Sequence, residues 1–78
     1  MLIKQPIQII TDKLIEIKDN NCFPDHILTV HQFYIHCGNV PPNIINKILL
    51  NLELDGTITS LVKDGFEEDT TILKFRIN

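Results

Sequence analysis

Five side chains of the kinds that bind zinc lie within sixteen positions near the middle of the sequence. They are, in order, Cys22, His26, His31, His36 and Cys37. Thiolate and imidazole groups are common zinc ligands, but the order Cys-x3-His-x4-His-x4-His-Cys matches no paired spacing of a zinc finger. On a helix, residues five positions apart, such as His31 and His36, diverge by about 140 degrees. We therefore expect no metal site and no cofactor, and we interpret Cys37 as a small buried apolar residue.

The sequence contains no recognisable catalytic motif. It has neither a glycine-rich phosphate loop nor a nucleophile elbow. The adjacent acids Glu67, Glu68 and Asp69 could imitate a carboxylate cluster for a divalent ion, but neighbouring acids in a loop are usually solvated. A chain of 78 residues also leaves little room for a substrate cleft. We do not expect an enzyme.

A second group of polar residues is rich in asparagine and lies on the solvent side of a helix that we predict between residues 42 and 55. Asparagine can pair with adenine through a donor and an acceptor together, and lysine can bind guanine or phosphate. Three basic residues follow in a predicted hairpin. The residues that we expect to contact nucleic acid are Asn43, Asn46, Lys47, Asn51, Lys63, Lys74 and Arg76.

The distribution of charge opposes strong binding to nucleic acid. The net charge is −3, and residues 53–69 contain six acids and a single lysine. Basic side chains supply most of the non-specific affinity for phosphate, and only four of the seven expected contacts are basic. We therefore expect weak, salt-sensitive binding to DNA, unless a dimer doubles the contacts.

Apolar residues on the same predicted helix support an alternative hypothesis. Ile44, Leu50 and Leu54 fall beside or away from the expected buried stripe, so some of them should be exposed in a monomer. With the acids of the hairpin they would form a surface for a protein partner or a second copy of the chain. The first helix and Leu2-Ile3 could instead cover them. The residues of this alternative interface are Ile44, Leu50, Leu54, Glu67, Glu68 and Asp69.

Two helices are predicted in the first half of the chain. The first extends from about Pro6 to Asn20, because apolar residues recur 3, 4 and 3 positions apart at Ile7, Ile10, Leu14 and Ile17. Thr29 and Gln32 have the spacing of a capping box, which begins a short second helix. Gly38 ends that helix where a left-handed residue is favoured.

A third helix carries most of the candidate residues. Pro42 suits its first turn, and Asp55-Gly56 ends it. Its buried side is predicted by the spacing of Ile45, Ile48, Leu49 and Leu52. Because the connection from the second helix is so short, the two helices form a helix-turn-helix.

The end of the sequence changes to an alternating pattern. Thr57 to Lys63 is rich in β-branched residues. In the segment from Thr71 to Ile77, Leu73, Phe75 and Ile77 alternate with Ile72, Lys74 and Arg76. These segments predict a β-hairpin with a mostly acidic loop at residues 64–70. Residues 21–28 are interpreted as a connection that contains at most a short helical turn.

One hydrophobic core is all that a chain of this length can build, so we expect residues 1–78 to form a single α+β domain that is mainly helical. No apolar run approaches the roughly 18 to 20 residues of a membrane span, and the start of the chain does not resemble a signal peptide. Two cysteines would close only one bridge. These features favour a soluble cytoplasmic or nuclear protein with reduced cysteines and no membrane partner.

Three helices followed by a hairpin is the order of a winged helix-turn-helix domain. The segment from Leu28 to Ile58, with the turn Gly38-Asn39-Val40-Pro41-Pro42, resembles winged-helix domains in general. It is most similar to the C-terminal domain of the DNA-processing protein A family, through Leu52-Glu53-Leu54-Asp55-Gly56. The resemblance covers about half of the chain. It implies that the third helix enters the major groove, that the hairpin contacts phosphate or the minor groove, and that the protein acts in regulation or DNA processing.

Overall fold

The computed structural model describes residues 5–38, 40–66 and 70–78. The expectations for Leu2, Ile3, Glu67, Glu68 and Asp69 lie outside these residues. Three helices and a three-stranded antiparallel sheet give an α+β fold that is mainly helical. The elements are α1 (Pro6–Asp19), a 3₁₀ turn (Pro24–His26), β1 (Ile27–Thr29), α2 (Val30–Cys37), α3 (Pro42–Leu54), β2 (Ile58–Asp64) and β3 (Thr71–Ile77).

The helices begin and end close to the predicted positions because their local signals act within one turn. Thr29 and Gln32 form the predicted capping box, in which the Gln32 amide donates to Thr29 Oγ1 at 3.0 Å and the Thr29 amide donates to Gln32 Oε1 at 2.9 Å. Gly38 ends α2 with a φ of 39°, a value that side chains with a Cβ rarely adopt. Pro42 is the first residue of α3, where its missing N–H costs no hydrogen bond.

The sheet contains one strand more than the predicted hairpin. β1 pairs with β3, so that the strand order is β1-β3-β2 and Leu28 lies opposite Phe75. The interpretation of residues 27–28 as part of a connection was therefore wrong. Three residues are too few to show an alternating pattern, and β1 forms because pairing with β3 satisfies backbone groups that would otherwise be buried without partners.

The predicted alternation in β3 was also wrong at its beginning. Ile72 is buried with Phe75 and Ile77, whereas Leu73 is 44% exposed. The pairing with β2 passes from Ser60↔Phe75 to Val62↔Lys74 and then to Lys63↔Ile72. These steps leave Leu61 in β2 and Leu73 in β3 without a direct partner, and such irregularities change which face the following residues occupy.

The core lies between the three helices and one face of the sheet. At its centre Phe33 of α2 meets Phe75 of β3 edge to face, with ring centroids 5.6 Å apart. Most of the apolar residues predicted for α1 and α3 line it, namely Ile10, Leu14, Ile17, Ile45, Ile48, Leu49 and Leu52. The prediction was wrong for Ile7, which is 48% exposed because it lies in the first turn of α1, beyond the edge of the core. None of the helices in the described part of the chain is long and apolar enough to cross a membrane.

Candidate nucleic-acid interface

Three of the predicted contact residues form a stripe along the exposed side of α3. Asn43, Lys47 and Asn51 are four positions apart and all are exposed, and this spacing places them on one side of a helix. At a rise of 1.5 Å per residue the stripe is about 12 Å long. The name α3 stripe is used below for these three residues. They lie on the side of α3 away from the buried Ile45 and Leu49.

Asn46 has a different environment although it belongs to the same helix. It is half-buried, and its side-chain amide bonds the backbone at the start of β3. Nδ2 donates to the Thr70 carbonyl at 3.1 Å, and Oδ1 accepts from the Ile72 amide at 2.9 Å. The amide thus pairs with β3 as a neighbouring strand would. Both its Nδ2 and its Oδ1 are thus engaged inside the protein, which sets Asn46 apart from the exposed α3 stripe.

Lys63 also has an intramolecular partner. Its ammonium group lies 2.8 Å from Glu53 Oε1, near the end of α3. This hydrogen bond is the main reason that the pKa of the Glu53 carboxyl is lowered from its usual value, with a smaller contribution from Ser60. We call the Asn46 bonds to β3 and the Glu53–Lys63 pair the α3–hairpin clamp. It holds the hairpin against α3 at two places.

The remaining basic residues of the hairpin lie on the other face of the sheet. Lys74 and Arg76 are exposed and alternate with the buried Phe75 and Ile77. Along β3, Arg76 is five residues from Thr71, a separation of about 17 Å in an extended strand. The structure therefore divides the seven predicted contacts into the α3 stripe, two members of the clamp and two cations on the outer face of the sheet.

Each end of β3 borders a different cavity. At its start, a cavity of about 430 Å³ is shared with α3 and is lined by Pro42, Asn43, Asn46, Lys47, Leu50, Thr70 and Thr71. At its other end, Arg76 and residues 21–27 line a larger cavity of about 980 Å³. The start of β3 therefore shares a surface with Asn43 and Lys47 of the α3 stripe, whereas Arg76 lies beside the connection between α1 and β1.

The apolar residues of the alternative interface are covered to different extents. Ile44 and Leu50 are half-buried and pack against the core, whereas Leu54 is 86% exposed. The hairpin exposes a second group that the sequence analysis missed, namely Phe66 at 88% and, to a smaller extent, Leu61, Val62 and Leu73. A phenylalanine directly after the turn glycine Gly65 was the available signal for Phe66. Leu73 was missed because the predicted alternation grouped it with Phe75 and Ile77, which are buried.

The two cysteines lie in different surroundings. Cys22 is exposed and Cys37 is buried, as predicted for Cys37, and both are free thiols. Burial raises the pKa of the Cys37 thiol to about 11, against a small opposing effect of Lys13. Within residues 5–38, 40–66 and 70–78, the His, Cys, Asp and Glu side chains form no group of three or more that could hold a metal ion.

Comparisons with protein-family models, with curated proteins and with solved structures found no match to this chain.

Proposed function

We propose that this protein is a winged-helix DNA-binding protein that acts in regulation or DNA processing, with α3 as the helix that reads duplex DNA. The observation that carries the proposal is the α3 stripe, in which Asn43, Lys47 and Asn51 share one exposed side of α3. The B-DNA major groove, about 12 Å wide, admits a helix, and asparagine and lysine are among the side chains that bind base edges there.

The arrangement of α2, α3 and the hairpin supports a winged helix. Four residues, 38–41, connect α2 to α3, as in a helix-turn-helix. The clamp then holds the hairpin beside α3, so that the start of β3 and the α3 stripe border the same cavity. A hairpin in this position would approach the DNA backbone while α3 occupies the groove.

The charge of this surface predicts the character of the binding. Lys47 is the only basic residue of α3, and it forms no ion pair with any residue that the structure describes. Each phosphate contact adds about −0.9 to the slope of log affinity against log salt for duplex DNA. We therefore expect a shallow slope and weak affinity, because α3 supplies at most one such contact.

Fluorescence anisotropy with a mixed-sequence duplex at about 50 and about 200 mM salt tests this proposal. Lys47→Gln should weaken binding severalfold at the lower salt and reduce the slope by about 0.9. Lys13→Gln is the matched control, because Lys13 lies on α1 and pairs with Glu16 at 3.2 Å. Equal effects of the two variants, or no binding at the lower salt, would reject α3 as the reader.

The second candidate function is docking of a protein partner or of another copy of the chain. It is favoured by Leu54 and Phe66, which are 86% and 88% exposed and would be better covered by an apolar surface. Leu54→Asp is the suitable test, because Leu50 packs against the core and its substitution would also disturb the fold. Under this alternative, Leu54→Asp abolishes a dimer seen by sedimentation. Under the DNA proposal it leaves the molecular mass unchanged.

A further inference from the structure

We propose that the cavity beside Arg76 is a binding site for a small organic oxyanion, either a phosphate ester or a carboxylate. The cavity has a volume of about 980 Å³ and is lined by Asn21, Cys22, Phe23, Pro24, Asp25, His26, Ile27 and Arg76. This volume lies at the upper end of the range of small-molecule sites. The site is separate from the α3 stripe and does not depend on the function proposed above.

The backbone that surrounds the cavity has an unusual conformation. Asn21, Asp25 and His26 have φ values of 54°, 56° and 59°, in the left-handed region. Asparagine, aspartate and histidine tolerate this region better than other residues with a Cβ, but three cases within six positions are uncommon. Conformations of this kind concentrate at ligand-binding and catalytic sites, where the rest of the fold holds them in place.

Arg76 supplies the positive charge of the site. Its Nε lies 3.4 Å from Asn78 Oδ1, a long contact, and its two terminal nitrogens donate no hydrogen bond to any residue in the described part of the chain. The planar guanidinium group can hold two oxygens of a phosphate or carboxylate at once. Arg76 is also fixed in the sheet by pairing opposite Ile27 of β1 and Thr59 of β2.

His26 supplies a polar group that lacks a partner within the protein. Its Nδ1 is buried and forms no hydrogen bond to a described residue, a situation that is rare and unfavourable for a buried polar atom. Phe23, Pro24 and Ile27 add apolar surface to the lining, so that the cavity suits an anion with an apolar body better than an inorganic ion.

Among the described residues, Asp25 is the one acidic residue that lines the cavity. Its carboxylate opposes an anion and therefore provides a sensitive test of the charge argument. Asp25→Asn removes the charge, keeps the size of the side chain and places at φ 56° a residue that adopts this conformation readily. Arg76→Gln makes the opposite change in charge. The two variants should therefore shift the affinity in opposite directions.

The experiment is a titration followed by NMR amide chemical shifts of the whole chain, with three probes: inorganic phosphate, phenyl phosphate and benzoate. We expect phenyl phosphate or benzoate to shift the amides of residues 21–27 and 76 and to bind at least tenfold more tightly than inorganic phosphate. Whichever of the two organic probes binds more tightly identifies the anionic group. Shifts spread over all exposed cations, or equal binding of inorganic phosphate, would overturn the proposal.

The variants then test the two charged residues. Arg76→Gln should lower the affinity for the tighter-binding organic probe about tenfold or more, and Asp25→Asn should raise that affinity severalfold. Lys74→Gln is the matched control, because Lys74 is an exposed cation on the same strand that does not line the cavity, and it should leave the affinity within twofold. An effect of Lys74→Gln as large as that of Arg76→Gln would show that general surface charge attracts the probes, and the site would be rejected.

Discussion

Asn46 and Asn51 are the same residue type on the same helix, and the structure gives them different environments. Asn51 is exposed in the α3 stripe, whereas the Asn46 amide bonds the backbone of β3 at 3.1 and 2.9 Å. The comparison extends to the lysines, since Lys47 is exposed and Lys63 pairs with Glu53. A polar residue on the solvent side of an isolated helix can thus become an internal contact when a strand packs beside it. We therefore expect substitutions in the clamp to change the stability of the fold, and substitutions in the α3 stripe to change the affinity for DNA.

The largest expected difference is in the free energy of unfolding of two alanine variants. Asn46→Ala removes both clamp bonds, which join the Asn46 side chain to the Thr70 carbonyl and the Ile72 amide in a half-buried place. We expect a loss of about 2 kcal/mol, which corresponds to a melting temperature lower by about 10 °C. Asn51→Ala should leave the stability unchanged or raise it by about 0.5 kcal/mol, because alanine favours the helix. Urea denaturation of both variants measures the difference. Equal losses would show that the clamp has no special role.

The second expected difference is in the affinity for DNA of the α3 stripe variant. Asn51→Ala should weaken binding to the tightest duplex from a random-sequence selection by about tenfold, because a bidentate contact to adenine contributes about 1 to 3 kcal/mol. Its melting temperature should be equal to or slightly above that of the unaltered protein. Anisotropy at fixed salt measures the affinity. Unchanged affinity would remove Asn51 from the interface.

A smaller effect is expected for the other part of the clamp. Lys63→Met breaks the ion pair with Glu53. The Lys63 side chain is 42% exposed and the Glu53 side chain is 25% exposed. Exposed ion pairs contribute little, so we expect a loss of about 0.5 kcal/mol that shrinks as salt is added. Lys13→Met, which breaks the local pair with Glu16 on α1, is the control and should cost no more. A loss as large as that of Asn46→Ala would contradict this ranking.

The smallest expected effect is the change with pH in the stability that the Glu53–Lys63 pair contributes. The lowered pKa of Glu53 means that its ionised form is favoured by folding, mainly through Lys63. This contribution is present above the usual value of 4.5 and is lost as the pH falls through the lowered pKa. The stability difference between the unaltered protein and Lys63→Met should therefore vanish in acid. Thermal unfolding from pH 7 to pH 3 measures it, and a difference that persists at the acidic end would assign the effect to packing of the lysine stem.

The helices were predictable because the signals that begin and end them are local. The Thr29 capping box, the first-turn prolines and the 3- and 4-residue spacing of apolar residues act within one or two turns. The strands were less predictable. β1 consists of three residues whose conformation depends on the distant β3, and the bulges at Leu61 and Leu73 depend on how the two strands of the hairpin meet.

The candidate interface was predicted only in part for the same reason. The period of α3 correctly placed Asn43, Lys47 and Asn51 on its exposed side. It could not reveal that Asn46 contacts residues 24 and 26 positions further along the chain. The cavity at Arg76 was not predictable either, since it forms where β3 approaches the left-handed residues between α1 and β1.

By itself, the sequence determined three helices with the residues that begin and end them, most of the apolar residues that the helices contribute to the core, and the existence of the final hairpin. Hydrophobic periodicity and capping involve residues that are close along the chain, so they need no knowledge of the fold. The tertiary structure decided the third strand, the register of β3, the partners of Asn46 and Lys63 and the surroundings of Arg76. Each of these depends on a pairing between distant segments, which forms only when the whole chain buries its apolar surface together.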